Sequence, residues 1–343
     1  MRHTQTSTAA CIVLAFTAFA PGAHAADVAD FYKGRTVSMV IGYSVGGGYD
    51  TYGRLVARYL ASHIPGRPSI VPQNMPGAGS IKAANYIYSV APKDGTVIGT
   101  FGRTVPVAPL LGTTGAIFEA TKFAWLGSVS RDTSLCITSR RSAVRNWDDF
   151  RKTQSTLGGE GSGSDPDVFA LLYKNVFGAK IKLVSGYPGT NDTSLAMERG
   201  EIDGFCGLSW STLKSRHPDW LKDRSINLIV QAGLKKEPEL PDVPFALDLA
   251  QLDEQRQILK LILVSQEMAR PFAAPPALLA ERRVALVTAF AETLRDGDFL
   301  AEAKREMLDV NPVSASEVDT MLAEAYAAPR SVAEKAARAT TAD

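Results

Sequence analysis

With 37 Lys and Arg against 36 Asp and Glu among 343 residues, the chain has a formal net charge of +1, which excludes the basic stripe that nucleic acid demands. Three cysteines and four histidines without metal-ligand spacing argue against a metal centre, and no pattern calls for a cofactor. Beyond the N-terminus no stretch approaches the roughly 18 uninterrupted apolar residues of a membrane span.

Residues 1–25 read as an export signal. Arg2 precedes an apolar run over 9–20, Pro21-Gly22 breaks it, and Ala23-His24-Ala25 supplies small residues for cleavage after Ala25. The mature chain is then periplasmic, electrically balanced and long enough for two domains. Cys136 and Cys206 are the cysteines it keeps. An even pair outside the cytoplasm suggests one disulfide, with two buried thiols as the alternative.

Short β-rich runs then alternate with helical patterns, the signature of parallel α/β layers. A strand is predicted over 36–41, a helix over 50–64 with Asp50 as N-cap, a strand from 69, a helix over 81–90 and a strand over 96–101. The pattern restarts with strands over 135–139 and 155–157 and a helix over 166–177. Asp165 is placed to cap that helix, with Pro166 at its first position and Gly178 past its end. Strands over 181–185, 202–206 and 226–231 follow, and 259–265 reads as a strand returning to the first unit. Two half-sheets with a long return describe two lobes, 26–125 plus 264–343 and 126–263, joined by crossing strands. The ligand site of such a molecule lies in the cleft between lobes.

Three glycine-rich segments fall where strands hand over to helices: Gly42-Tyr43-Ser44-Val45-Gly46-Gly47-Gly48-Tyr49-Asp50, Pro76-Gly77-Ala78-Gly79-Ser80, and Gly158-Gly159-Glu160-Gly161-Ser162-Gly163-Ser164-Asp165. Bare backbone lets N–H groups approach a ligand, and the following helix directs its positive end at the same point, which together suit a carboxylate. Each loop alone reads equally well as an ordinary tight turn.

Those loops occur in order with Asn74-Met75-Pro76-Gly77-Ala78-Gly79, Lys93-Asp94-Gly95-Thr96, Gly186-Tyr187-Pro188-Gly189, Gly200-Glu201-Ile202-Asp203 and Asp242-Val243-Pro244. The ordered set resembles the substrate-binding component of tripartite tricarboxylate transporters, the Bug-type proteins, over essentially the whole mature chain. The resemblance implies an α/β, two-lobed periplasmic-binding-protein-like fold of type II that grips a ligand carboxylate between two pincer loops. Tyr43, Ser44, Val45, Gly46, Gly47, Gly48 and Asp50 form the first. Gly161, Ser162, Gly163, Ser164 and Asp165 form the second, with Ala78 and Gly79 beside them and Tyr187, Pro188 and Gly189 from the second lobe. It further implies a protein that hands a small organic carboxylate to membrane components of such a transporter, without cofactor or catalysis; the neutral surface and closed cleft suggest a monomer. Asp167 stands where the family often has histidine, and two carboxylates beside an anion cradle argue against a citrate-like ligand. Arg103 either pairs with a ligand carboxylate or faces solvent.

Gly42-Tyr43-Ser44-Val45-Gly46 also matches a nucleophile elbow, which would make the chain an exported hydrolase with Ser44 as nucleophile and His217 as base. Against this, no earlier strand exists to donate the second oxyanion-hole N–H. The glycine spacing fits neither a phosphate loop nor a dinucleotide fingerprint. Trp210, after a strand, is the tryptophan placed to line the cleft.

Overall fold

A computed structural model describes residues 22–342, so the export signal lies outside the described residues up to position 21. Eleven strands are described: β1 (Thr36–Ile41), β2 (Ser69–Asn74), β3 (Val97–Thr100), β4 (Ala124–Ser128), β5 (Ser134–Ser139), β6 (Ser155–Gly158), β7 (Ile181–Val184), β8 (Gly204–Ser209), β9 (Ile226–Ala232), β10 (Pro271–Ala274) and β11 (Val313–Ser314). They form two sheets, ordered β11-β4-β10-β3-β1-β2 and β7-β6-β8-β5-β9.

The two sheets share one plan. In the first, β1 pairs parallel with β2 and β3, and β10 enters antiparallel between β3 and β4. In the second, β6 pairs parallel with β7 and β8, and β5 enters antiparallel between β8 and β9. The inner antiparallel strand of each sheet follows a crossing from the other lobe: β5 comes after β4, and β10 after β9, while β11 adds an antiparallel edge to β4. This is a two-lobed α/β fold.

Helices cover both faces of each sheet, so the inner strands are apolar on both sides. In the first lobe Val37 and Met39 of β1 enter one core with Leu55 and Phe290, while Val40 enters another with Ile87 and Trp125. In the second, Leu135 and Ile137 of β5 pack with Phe205 and Trp220, whereas Cys136 faces Tyr173 and Leu259. Pro72, which cannot donate to a ladder, is tolerated because β2 is an edge strand paired only with β1.

Two expectations change. The strand predicted over 259–265 belongs to a helix, Asp253–Leu263, with Asp253 and Glu254 in its first turn and Ile258, Leu259, Leu261 and Ile262 buried. A short apolar run suits either a strand or one face of a helix, and burial against Tyr173 and Trp147 decided for the helix. The returning strand is β10. The helix Arg330–Ala339 packs with its Ala336 and Ala339 in the same second-lobe core, although 264–343 was assigned to the first lobe. The C-terminus therefore straps one lobe to the other.

Cys136 and Cys206 lie on adjacent strands with both side chains in one core, and they form a disulfide.

Candidate functional site

The two crossing segments are hydrogen-bonded to each other. Val129 N donates to Arg270 O (3.1 Å), Ala269 N to Ser130 O (2.9 Å) and Asp132 N to Gln266 O (3.0 Å). Buried Asp132 and Arg270 add an ion pair at 3.5 Å. The Arg270 guanidinium sits over the rings of Tyr49 and Tyr52, 4.9 and 4.8 Å from their centroids, and Nη2 donates to Thr212 Oγ1 at 2.9 Å.

Away from this hinge, loops of the two lobes touch directly. Gly79 N donates to Glu160 O (3.0 Å) and Ser44 N to Pro188 O (3.3 Å). Thr104 Oγ1 donates to Gly163 O (2.6 Å), and Ser44 Oγ to Asp192 Oδ2 (2.6 Å). Gly79 and Gly161 are required here twice over. Their φ values are +56° and +114°, and a Cβ on either would lie within 3 Å of backbone nitrogen in the opposite lobe, Ser164 N or Gly79 N.

Between hinge and loops the lobes enclose a cavity of about 10 Å³, close to the room one water needs. Tyr43, Gly48 and Tyr49 line it from the first lobe with Arg270 from the hinge; Glu160, Asp165, Thr190, Phe205 and Thr212 line it from the second. Tyr43 and Tyr49 stack with ring centroids 4.7 Å apart. Two helices begin here from opposite lobes, Gly48–His63 and Thr190–Arg199, and neither has a side-chain cap. Gly47, just before the first, is close enough that a Cβ there would lie 3.9 Å from Asn191 N of the second.

Solved structures of similar shape were found. The periplasmic binding protein BugD superposes with a TM-score of 0.72 at 19% identity, covering 89% of this chain and 98% of that one. MatC of Rhodopseudomonas palustris with bound malate gives 0.69 at 19% identity, covering 88% and 99%. R. palustris Rpa4515 with adipate gives 0.66 at 21% identity, covering 88% and 97%. The chain has the two-lobed fold of periplasmic binding proteins. No family model matches it, and no curated protein does.

Within this binding-protein fold the predicted loops gather at the lobe contact, but their side chains divide. Tyr43, Gly48 and Asp165 line the cavity. Ser44, Gly79, Gly163 and Pro188 join lobe to lobe. Gly46 donates its N–H to Asp50 at 3.0 Å, and Val45 is 62% exposed at the loop tip. Asp50 is not the N-cap; Gly47 is. One turn in, the Asp50 carboxylate accepts from Gly46 N, Arg54 Nε and Asn74 Nδ2 and so fixes the first loop. Burial alone would raise its carboxyl pKa; these donors outweigh it and hold the pKa below the ordinary value.

Asp165 does not cap its helix either. Ser164 does, accepting from Asp167 N. This leaves Asp165 Oδ2 to accept from Arg103 Nε across the lobe boundary. Arg103 is fully buried rather than solvent-facing, and Nη2 also donates to Gly207 O at 2.9 Å. Burial works against its charge, but Asp165, Tyr49 and Asp132 together more than offset this. Asp167 draws the second loop onto itself: Oδ2 accepts from Glu160 N (2.7 Å), Gly161 N (3.1 Å) and Ser164 Oγ (2.7 Å), and Oδ1 from Ser185.

Glu160 is the residue that sequence reasoning passed over. It is buried, and its carboxyl pKa is pushed up to about 8, first by burial and then by Asp165, Asp167 and Asp192, against the hydrogen bond from Thr190. A long acidic side chain between Gly159 and Gly161 was the available signal. Arg270 was also missed, because the return strand had been placed before it.

The hydrolase arrangement is not assembled. Ser44 Oγ donates to Asp192, whereas His217 Nε2 lies 3.4 Å from Ser194 Oγ and its ring stacks on Trp220 at 3.9 Å. His217 is half-buried, and desolvation by burial pulls its pKa down to about 4. Trp210 packs among Leu213 and Leu240 and does not line the cavity. Among the described residues no group of His, Cys, Asp and Glu is placed to hold a metal.

Proposed function

We propose that this protein is an exported, non-enzymatic binding protein. Its lobes close on a small organic carboxylate and hand it to the membrane components of a tripartite tricarboxylate-type transporter. The observation that carries the reading is the meeting of two uncapped helix starts, at Gly48 and Thr190, across one closable cleft. Two positive helix ends, with the first-turn N–H groups that lack intrahelical partners, then border one cavity from opposite lobes, which is where a carboxylate gains most from closure. The malate and adipate bound in two structures of similar shape fit that ligand class. A ligand that binds both lobes only when they are together drives closure through its differential affinity.

The test is a thermal-shift screen of the protein without residues 1–25 against mono-, di- and tricarboxylates, aromatic acids and amino acids. A ligand at a hundredfold excess over Kd should stabilise by about 2.7 kcal/mol, and the compound should be recovered unchanged. If no acid shifts the melting temperature, carboxylate capture is wrong.

A further inference from the structure

We propose that the cleft selects a ligand carrying an organic ammonium beside its carboxylate, an amino acid rather than a di- or tricarboxylate, with Glu160 and Asp165 as the ammonium's partners. This rests on carboxylate capture and narrows the class of ligand.

The first ground is charge. Three arginines stand at or near the cleft, and each already has an aspartate: Arg54 with Asp50, Arg103 with Asp165, and Arg270 with Asp132. That leaves the Glu160, Asp167 and Asp192 carboxylates over. Asp167 is satisfied by four donors, three from its own loop and Ser185 after β7, and Asp192 accepts from Ser44. Among the described residues the one cation lining the cavity is Arg270. One ligand carboxylate can sit at the two helix starts, but a second would lie against Glu160, whose ionised form burial and the neighbouring aspartates already disfavour. Like charges at such range disfavour each other's ionised forms.

The second ground is unmet bonding at the cavity wall. Asp165 Oδ1 is buried without a protein partner on a wall where Arg270 Nε is an open donor for the ligand's one carboxylate, and Glu160 accepts at Oε1 from Thr190 Oγ1 at 3.1 Å. Buried acceptors left open are costly, and an ammonium, which brings three donors and a positive charge, is the group that satisfies them.

The third is the aromatic wall. The stacked rings of Tyr43 and Tyr49 line the same cavity, and ring faces attract cations, as the Arg270 guanidinium over Tyr49 illustrates. Thr190 joins the two ends. It begins the helix suited to the carboxylate and bonds Glu160, so carboxylate and ammonium sites are neighbours, as on a single α-carbon.

Affinities should be measured calorimetrically for amino acids and their deamino counterparts: alanine with propanoate, phenylalanine with 3-phenylpropanoate, aspartate with succinate and glutamate with glutarate. At least one amino acid should bind about tenfold or more tighter than its counterpart. Glu160→Gln, which keeps the side-chain shape, should erase most of that difference; its unliganded melting curve reports whether it folds. A second readout needs no variant. Glu160 faces Asp165, Asp167 and Asp192, with Tyr43 and Thr190 beside it, and in the closed cleft without a ligand it is largely protonated at pH 7. In the open free protein Glu160 is rehydrated and ionised; an ammonium placed against it keeps it so, and amino-acid binding at pH 7 should take up little proton, whereas closure on a dicarboxylate should take up close to one, seen as a dependence of the heat on buffer ionisation enthalpy. Succinate or glutarate binding as tightly as the amino acids, or amino-acid binding accompanied by uptake of a proton, overturns the ammonium site and leaves carboxylate capture standing. Absence of binding by every compound removes both.

Discussion

Asp165 shows why a residue's role cannot be taken from its type and position alone. Aspartate before a helix is a good cap, yet Ser164 one residue earlier takes that task, and the freed carboxylate pairs with Arg103 from the other lobe. Glu160 makes a second case. Its carboxyl is raised from 4.5 to about 8, so the folded state holds a proton that the unfolded chain has lost between those values. Its contribution to stability is therefore complete below about pH 4.5 and is lost as pH rises through about 8. Comparing wild type with Glu160→Gln, the wild type should lose ground steadily from pH 5 to 8 and then level off. The upper limit is roughly 4 kcal/mol, less to the extent that the lobes open and rehydrate the group. Parallel melting temperatures across that range would show that Glu160 is not buried from solvent in the folded protein.

At the scale of elements, the glycine loops are as much lobe contacts as ligand loops. Gly79 and Gly161 allow backbone to approach backbone, and Arg103 reaches from the end of the first lobe's third strand into the second lobe's helix start. An ion pair out of water is weak evidence for stability, but removing one partner strands a buried charge at a cost of about 3–5 kcal/mol. Here the molecule has an escape, because parting the lobes rehydrates the survivor. Arg103→Met or Asp165→Leu alone should thus favour the open form, seen as a larger radius of gyration by small-angle scattering, with a smaller loss of melting temperature than a buried pair would ordinarily bring. The double substitution should recover most of the compactness. Additive effects of the two changes would mean that the pair does not hold the lobes.

At the scale of the whole molecule, closure is the property on which function depends, and Gly48 is where it can be blocked. A Cβ there would come within 2.5 Å of Thr212 Oγ1 in the opposite lobe, while the helical backbone tolerates any side chain. Gly48→Leu should leave each lobe folded, widen the molecule in scattering and weaken binding of whichever acid the screen identifies by at least about tenfold. Normal affinity in that variant would mean that binding does not require the lobes to meet at Gly48.

The order of strands and glycine loops was legible in the sequence because each is a local signal: an apolar run, a helix start, a turn that needs bare backbone. The two lobes and the loops that meet between them follow from it. Cys136 and Cys206 were legible as a pair, but their bonding needed adjacent strands to turn both side chains to one face. What only the tertiary structure decided is which charges meet. Arg103 with Asp165, Arg270 with Asp132 and Glu160 among three aspartates are contacts between segments distant in the chain. The helix at 253–263 and the C-terminal strap at 330–339 were settled in the same way, by apolar faces finding a core that no local pattern describes. Periodicity records what a segment can become. Charge pairing and burial depend on what the fold puts beside it, and in this protein that is where the chemistry of the cleft resides.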